Sequence, residues 1–222
     1  MTSCLGLYVE SNIIKYAKIS KDRDNLKVES FGLKFYDKLG EAIKQIISET
    51  YSFKVPVSIN LADEVYNYFY MFSMLNKKDL KKAIETEYES YCAEKGLNKN
   101  AVDTRYALVN SLSDKDRVKV IHVAANKNNL NAIEQQLSEN KIAAISPIGM
   151  TIANIAKMKQ KENIAIINME DKTTVTLIVN QKVYSVDTIE NGASEVLDGI
   201  NVKENSYSKA YEAYIFCKLN KE

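Results

Sequence analysis

GLYVESNIIK, Gly6 to Lys15, reads as a short strand, a turn carrying Glu10, and the start of a second strand. Apolar residues alternate along it with the period of two that marks half-buried strands. A second stretch, IAIINMEDKTTVTLIVN (Ile164 to Asn180), repeats the reading: an apolar strand, an acidic turn carrying Glu170, and another β-rich strand. Each is followed by a polar turn, a third strand and a helix. The chain therefore contains one β-β-β-α opening twice, which predicts an α/β fold built on a duplicated unit.

The composition supports a packed interior and narrows the partners. The chain has 222 residues and is 45% hydrophobic, enough for one large domain or two intimately packed lobes. Lys+Arg number 30 against Asp+Glu 29, so the net charge of +1 offers no global attraction to nucleic acid or to an anionic membrane. Cys4, Cys92 and Cys217 lack metal spacing, and the single histidine, His122, completes no zinc pattern with them. A reducing cytosol fits this usage. The N-terminus lacks the basic and apolar regions of a secretion signal. The longest apolar segment, Ile142 to Ala156, is broken by Ser146, Pro147 and Gly149 and falls short of the ~20 residues that span a bilayer.

Hydrophobic period predicts strands near 3–9, 12–19 and 25–33 and a helix near 37–50. Strands near 55–61 and 64–72 precede a helix over about 77–94, with Asn76 as its N-cap. Two strands, 103–112 and 117–125, then lead to a helix near 128–138, a strand from Ile142, and a helix with Pro147 near its first turn. Strands near 163–169, 173–180 and 182–189 and helices near 191–199 and 206–219 complete the chain. No linker-like tract divides it, so any lobes share a tight interface.

Few residues suggest chemistry. Asp103, Asp114, Asp116 and Glu87 could be imagined around a metal, but a solvated hairpin turn explains the aspartates. His122 alternates with Ile121 and Val123 and reads as strand surface or a satisfied residue between lobes. No nucleophile and base stand in a local pattern, so no catalytic residue is assigned. YNYFYMF (66–72) sets Tyr66, Tyr68, Tyr70 and Phe72 on one strand face, where core packing competes with an interface role.

Taken in order, these motifs resemble the PilM family of type IV pilus assembly proteins. That branch of the actin-like superfamily is related to FtsA and to the cytoplasmic domain of the type II secretion L subunit. The family opens Gly-Ile-Asp-Ile-Gly-Ser-x-x-Ile-Lys, matched without a gap by Gly6 through Lys15. Its Leu-x-x-Ala-Ile-x-x-Glu-x-x-x-Tyr helix is matched by Leu80, Ala83, Ile84, Glu87 and Tyr91. Its second hairpin corresponds to Asn168 through Thr174, and its later Ile-Gly-Gly turn to Glu190, Asn191 and Gly192. The resemblance implies an actin-like, duplicated ribonuclease H-like fold reduced in its second lobe. Subdomain 1A would take 1–54 and 126–159, a 1C-like insertion 55–125, and the incomplete start of subdomain 2 residues 160–222. Because the family continues past its Ile-Gly-Gly turn, the chain is expected to be a fragment or to continue toward a membrane segment.

Two departures bear on function. The family's hairpin glycines let amides approach phosphate oxygens closely, whereas this chain has Glu10 and Glu170 at those turns. A carboxylate ~5 Å from a phosphate charge costs on the order of 3 kcal/mol at an effective dielectric of about 20. The family's metal-holding aspartates are replaced by Tyr8 and Asn168. Both changes predict a degenerate site without cofactor. In the alternative, ATP-Mg binds with Ser11, Lys15 and Thr173 around the phosphates and Glu10 or Glu170 on the magnesium.

The resemblance implies a noncatalytic cytoplasmic platform at the inner face of the membrane. It would dock the cytoplasmic segment of a PilN-like inner-membrane protein and the pilus assembly ATPase. Membrane contact would come only through partners or through sequence beyond residue 222, and no nucleic acid is implied. Candidate partner-binding residues are Tyr66, Tyr68 and Tyr70 on the strand and Leu80, Ile84 and Glu87 on the helix after it. A filament-forming actin-like protein is the less favoured third reading.

Overall fold

The computed structural model describes residues 2–23, 25–61, 63–110, 116–137, 139–158, 162–204 and 206–217. It opens with an antiparallel meander of β1 (Thr2–Val9), β2 (Ile13–Asp22) and β3 (Asn25–Phe35), followed by α1 (Leu39–Glu49). β4 (Val57–Leu61) then returns parallel to β1. Alternation sends Leu5 and Leu7 to one face of the sheet. There they meet Ile14, Val57 and Ile59 and the α1 stripe of Ala42, Ile43, Ile46 and Ile47. Ile43 and Ile46 have no exposed surface, so truncating either to alanine should cost about 2–5 kcal/mol.

The chain next builds a second sheet from β5 (Val65–Phe72), β6 (Val102–Asn110) and β7 (Arg117–Asn126), in the order β5-β7-β6. Between β5 and β6 runs α2 (Lys77–Lys95), whose N-cap is Asn76: its side chain accepts from the amides of Lys78 and Asp79 at 3.0 Å each. One sheet face packs Met71 and Val120 on Ile84 of α2, and the other presents Tyr66, Tyr68, Ile121 and Val123. β7 is thus covered on both faces, which accounts for the unbroken burial of Lys119 through Ala125. The sheet formed here begins at Val65. β4 belongs to the first sheet because its edges pair with β1 and with the later β8, so the expected insertion at 55–125 starts too early.

After α3 (Lys127–Gln136), β8 (Ile142–Pro147) rejoins the first sheet, completing the order β3-β2-β1-β4-β8. The short α4 (Ile148–Ile152) and α5 (Asn154–Met158) lead to the third sheet. Its strands β9 (Ile164–Met169), β10 (Thr173–Val179) and β11 (Lys182–Ile189) form a second antiparallel meander, followed by α6 (Ala193–Glu204) and α7 (Tyr207–Cys217). The expected β-β-β-α repeat is present. The third sheet has three strands among the described residues where the first has five, so the second lobe is the reduced one.

Candidate functional site: the junction of the two hairpin turns

The turns between β1 and β2 and between β9 and β10 face each other across the cleft. Asn60 of β4 holds the end of β1, accepting from the Val9 amide at 2.7 Å and donating to the Val9 carbonyl at 3.0 Å. The Tyr36 hydroxyl donates to the Glu10 carbonyl and holds the turn from its other side. The second turn is tied to the start of α6. The Ala193 amide donates to the Glu170 carbonyl at 2.6 Å, and Ser194 Oγ donates to the Asp171 carbonyl at 3.0 Å. A Cβ on Gly192 would stand 2.1 Å from the Glu170 carbonyl oxygen, so only glycine permits this approach.

The gap between the turns is filled by the chain's own side chains. Lys15 Nζ lies 2.7 Å from Glu10 Oε1 and 2.7 Å from Glu170 Oε2. It donates an aligned hydrogen bond to Glu170, while Glu10 Oε1 sits at ion-pair distance but off the hydrogen-bond angle. Ser11 donates from its amide at 2.6 Å and from its hydroxyl at 2.8 Å to the same Asp171 oxygen. Asn168 Nδ2 donates to the Tyr8 hydroxyl at 3.1 Å, so the two residues at the family's metal-aspartate positions bond to each other. Thr173 turns away, its hydroxyl donating to the Asn191 carbonyl at 2.7 Å.

Burial and the neighbouring Glu170 push the Glu10 carboxyl up to about 8. Burial alone would lower Lys15, but Glu10 and Glu170 outweigh it and raise the ammonium above its ordinary value. Burial likewise raises Tyr8, which stays a neutral phenol. At neutral pH Glu10 is then mostly protonated and stands beside a charged Lys15. On one side lies a cavity of about 600 Å³ that exposes Asp63, Glu64, Asp171 and Asp187 along with the glutamates of the clasp. The ammonium of Lys172 also lines it, but is paired with Glu190 at 2.9 Å. Such a lining repels phosphate. Among the described residues, no three ligand-type side chains are placed to hold a metal ion.

The six candidate partner residues do not form one surface. Tyr66 and Tyr68 face the third sheet. The Tyr68 hydroxyl donates to the Val186 carbonyl at 2.5 Å and accepts from the Val186 amide at 2.6 Å, and Lys119 lies between the rings of Tyr68 and Tyr184. Tyr70 lies further along that face and is half exposed. Leu80 and Ile84 pack under the opposite face, and Glu87 is exposed on α2. The sheet separates the two sets, since residues of even number on β5 point away from α2. His122, expected at a surface or between lobes, is buried beneath α2 against the rings of Phe69 and Tyr88.

A groove that the sequence reading did not single out lies between the C-terminal half of α2 and the second sheet. Its volume is about 440 Å³, and Tyr88, Tyr91, Leu97 and Val102 line it together with Asn67, Asn98 and Asn126. Asn67 is 8% exposed, and its Nδ2 has no hydrogen-bond partner among the described residues. A lone amide inside the apolar run VYNYFYMF was the available signal.

Two β-hairpins facing across a cleft, each opening a β-β-β-α unit, with a sheet inserted into the first, define the actin-like ATPase fold. Among solved structures, one titled the PilM-PilN type IV pilus biogenesis complex aligns with a TM-score of 0.72 and 15% identity, over 95% of this chain and 68% of that one. The cytoplasmic domain of EpsL, an inner-membrane component of the type II secretion system of Vibrio cholerae, aligns with a TM-score of 0.61 and 14% identity, over 88% of this chain and 74% of that one. No protein-family model and no curated protein matches the sequence. No helix of the described residues is long and apolar enough to cross a membrane.

Proposed function

We propose that this chain is a platform protein of type IV pilus or type II secretion assembly that works by docking and not by nucleotide turnover. The observation that carries the second half is Lys15, held between Glu10 and Glu170 where phosphates sit in a nucleotide-binding member of the fold. A nucleotide would have to displace Lys15 from both glutamates and then face the acidic lining of the cleft, a cost of several kcal/mol before any contact is gained. The first half is supported by the likeness to the PilM-PilN complex and to EpsL.

In this reading the protein sits in the cytoplasm at the inner face of the membrane. The groove around Asn67 receives a short cytoplasmic segment of a PilN-like inner-membrane protein, and the assembly motor docks elsewhere. The unpaired Nδ2 of Asn67 lies just beneath the groove, where a shift of the lining side chains on docking would open it to a carbonyl of an extended peptide, while Tyr91 and Leu97 offer apolar contact. Titration calorimetry with N-terminal peptides of candidate inner-membrane partners tests the docking. Saturable binding that is lost on Tyr91→Ala is expected, and absence of binding to any of them counts against it.

A parallel titration with ATP-Mg addresses the alternative, an ATP-binding actin-like ATPase. That reading draws on the cavity beside the clasp and on Ser11 and Lys15, which stand at the family's hairpin positions. Micromolar affinity for ATP-Mg would establish it.

A further inference from the structure

β3 is the outer strand of the first sheet, and among the described residues no strand pairs with its free edge. Edge strands are normally short, charged or covered. This one runs for 11 residues and carries four exposed apolar side chains: Leu26 at 74%, Val28 at 55%, Phe31 at 79% and Leu33 at 44%. Their spacing would put the first two and the last two on opposite faces of a regular strand. The register shift prevents this: Lys18 pairs with Ser30 and Ile19 with Val28, so Glu29 is an extra, bulged residue. Val28, Phe31, Leu33 and Leu26 accordingly oppose Ile19, Ala17, Lys15 and Lys21, which share one face of β2. All four apolar side chains stand on that face.

The pattern Leu26-x-Val28-x-x-Phe31-x-Leu33 reads the same in both directions about the bulge. We propose that this edge is a homodimerisation surface on which β3 pairs antiparallel with β3 of a second copy, the two-fold axis passing through the Glu29–Ser30 bulge. In that register Leu26 opposes Leu33 of the second copy and Val28 opposes Phe31, so every apolar side chain on the edge meets another. On the opposite face Lys27 opposes Gly32 of the second copy, over which the Tyr16 ring lies. An antiparallel partner needs apolar residues at this same palindromic spacing, and the chain itself supplies such a strand.

The area agrees with a reversible dimer. A strand of 11 residues is about 35 Å long, and a strip about 15 Å wide along its edge and apolar face buries roughly 500 Å² per copy. The total of about 1,000 Å² is at the lower limit for a specific interface. The facing bulges interrupt the ladder at its centre and weaken it further. The surface is independent of the proposed function.

Sedimentation equilibrium of the whole chain, from about 1 to 200 μM, tests the proposal. A monomer–dimer equilibrium within this range is expected, weakened at least tenfold by Phe31→Lys, which removes no buried group and should leave the circular dichroism unchanged. A monomer at every concentration, or a dimer indifferent to Phe31→Lys, overturns it. So does hydrogen-exchange protection of the β3 edge in a species that stays monomeric, because an intramolecular strand would then cover it.

Discussion

Ser11 and Asp171 lie 160 positions apart, yet one oxygen of the Asp171 carboxylate accepts both the amide and the hydroxyl of Ser11, at 2.6 and 2.8 Å. The contact joins the tips of the two hairpin turns. Beside it Lys15 joins the same turns through Glu10 and Glu170, so the lobes meet through two adjacent polar clasps formed by the chain alone. In a nucleotide-dependent member of the fold, a ligand would bridge this gap.

Lys15 is expected to matter through what its removal leaves behind. Lys15→Met would leave Glu10 and Glu170 side by side without a cation in a largely buried gap, and should destabilise the chain by about 1–3 kcal/mol in urea titration. Adding Glu170→Gln should recover most of the loss, because an amide at 170 does not need the missing cation. A Lys15→Met variant as stable as the parent would mean that the clasp carries no net energy.

Glu10 predicts a pH dependence. Its folded pKa is raised from about 4.5 to about 8, so the folded state holds a proton that the unfolded chain has released. The stability contributed by that protonated form is complete below about pH 4.5 and is lost as pH rises through about 8. Denaturation midpoints measured across pH 5 to 9 should fall more steeply for the parent than for Glu10→Gln, which cannot ionise. Parallel profiles would place the Glu10 titration elsewhere.

Gly192→Ala should be severe for its size. The added Cβ would meet the Glu170 carbonyl oxygen at 2.1 Å and the Asp171 carbonyl oxygen at 2.5 Å, both backbone atoms of the second turn. The turn has to move, taking both acidic residues away from Ser11 and Lys15. A loss of about 2–4 kcal/mol is expected, with faster amide exchange in both hairpin turns than in α2.

Asn67 separates stability from docking. Its buried Nδ2 lacks a partner, and replacing such a group with an apolar one of similar size often stabilises a fold. Asn67→Val should raise stability by about 1 kcal/mol while weakening peptide binding in calorimetry. A variant that gains stability and binds as before would remove Asn67 from the docking site.

The strands and helices and the repeated opening were legible because alternation and helical spacing leave a direct trace in the residues. The hairpin register followed from the uninterrupted match of Gly6 through Lys15. Other features depend on which neighbour covers a face, and period alone does not say. It groups Tyr66, Tyr68 and Tyr70 correctly, yet it does not tell that β11 covers the first two or that Leu80 and Ile84 lie beneath the other side. β4 was assigned to the insertion because the hairpin-like sequence around 55–72 hides a change of sheet between Leu61 and Val65. His122 had no outward mark of burial, since the rings that enclose it come from β5 and α2.

The proton on Glu10 has a final consequence. On the proposed reading, a junction closed by Glu10, Lys15 and Glu170 needs no small molecule, and its occupancy would not rise and fall with the energy charge of the cell. A machine containing such a part would take its rhythm from its other subunits, with this one holding their spacing constant through every stroke.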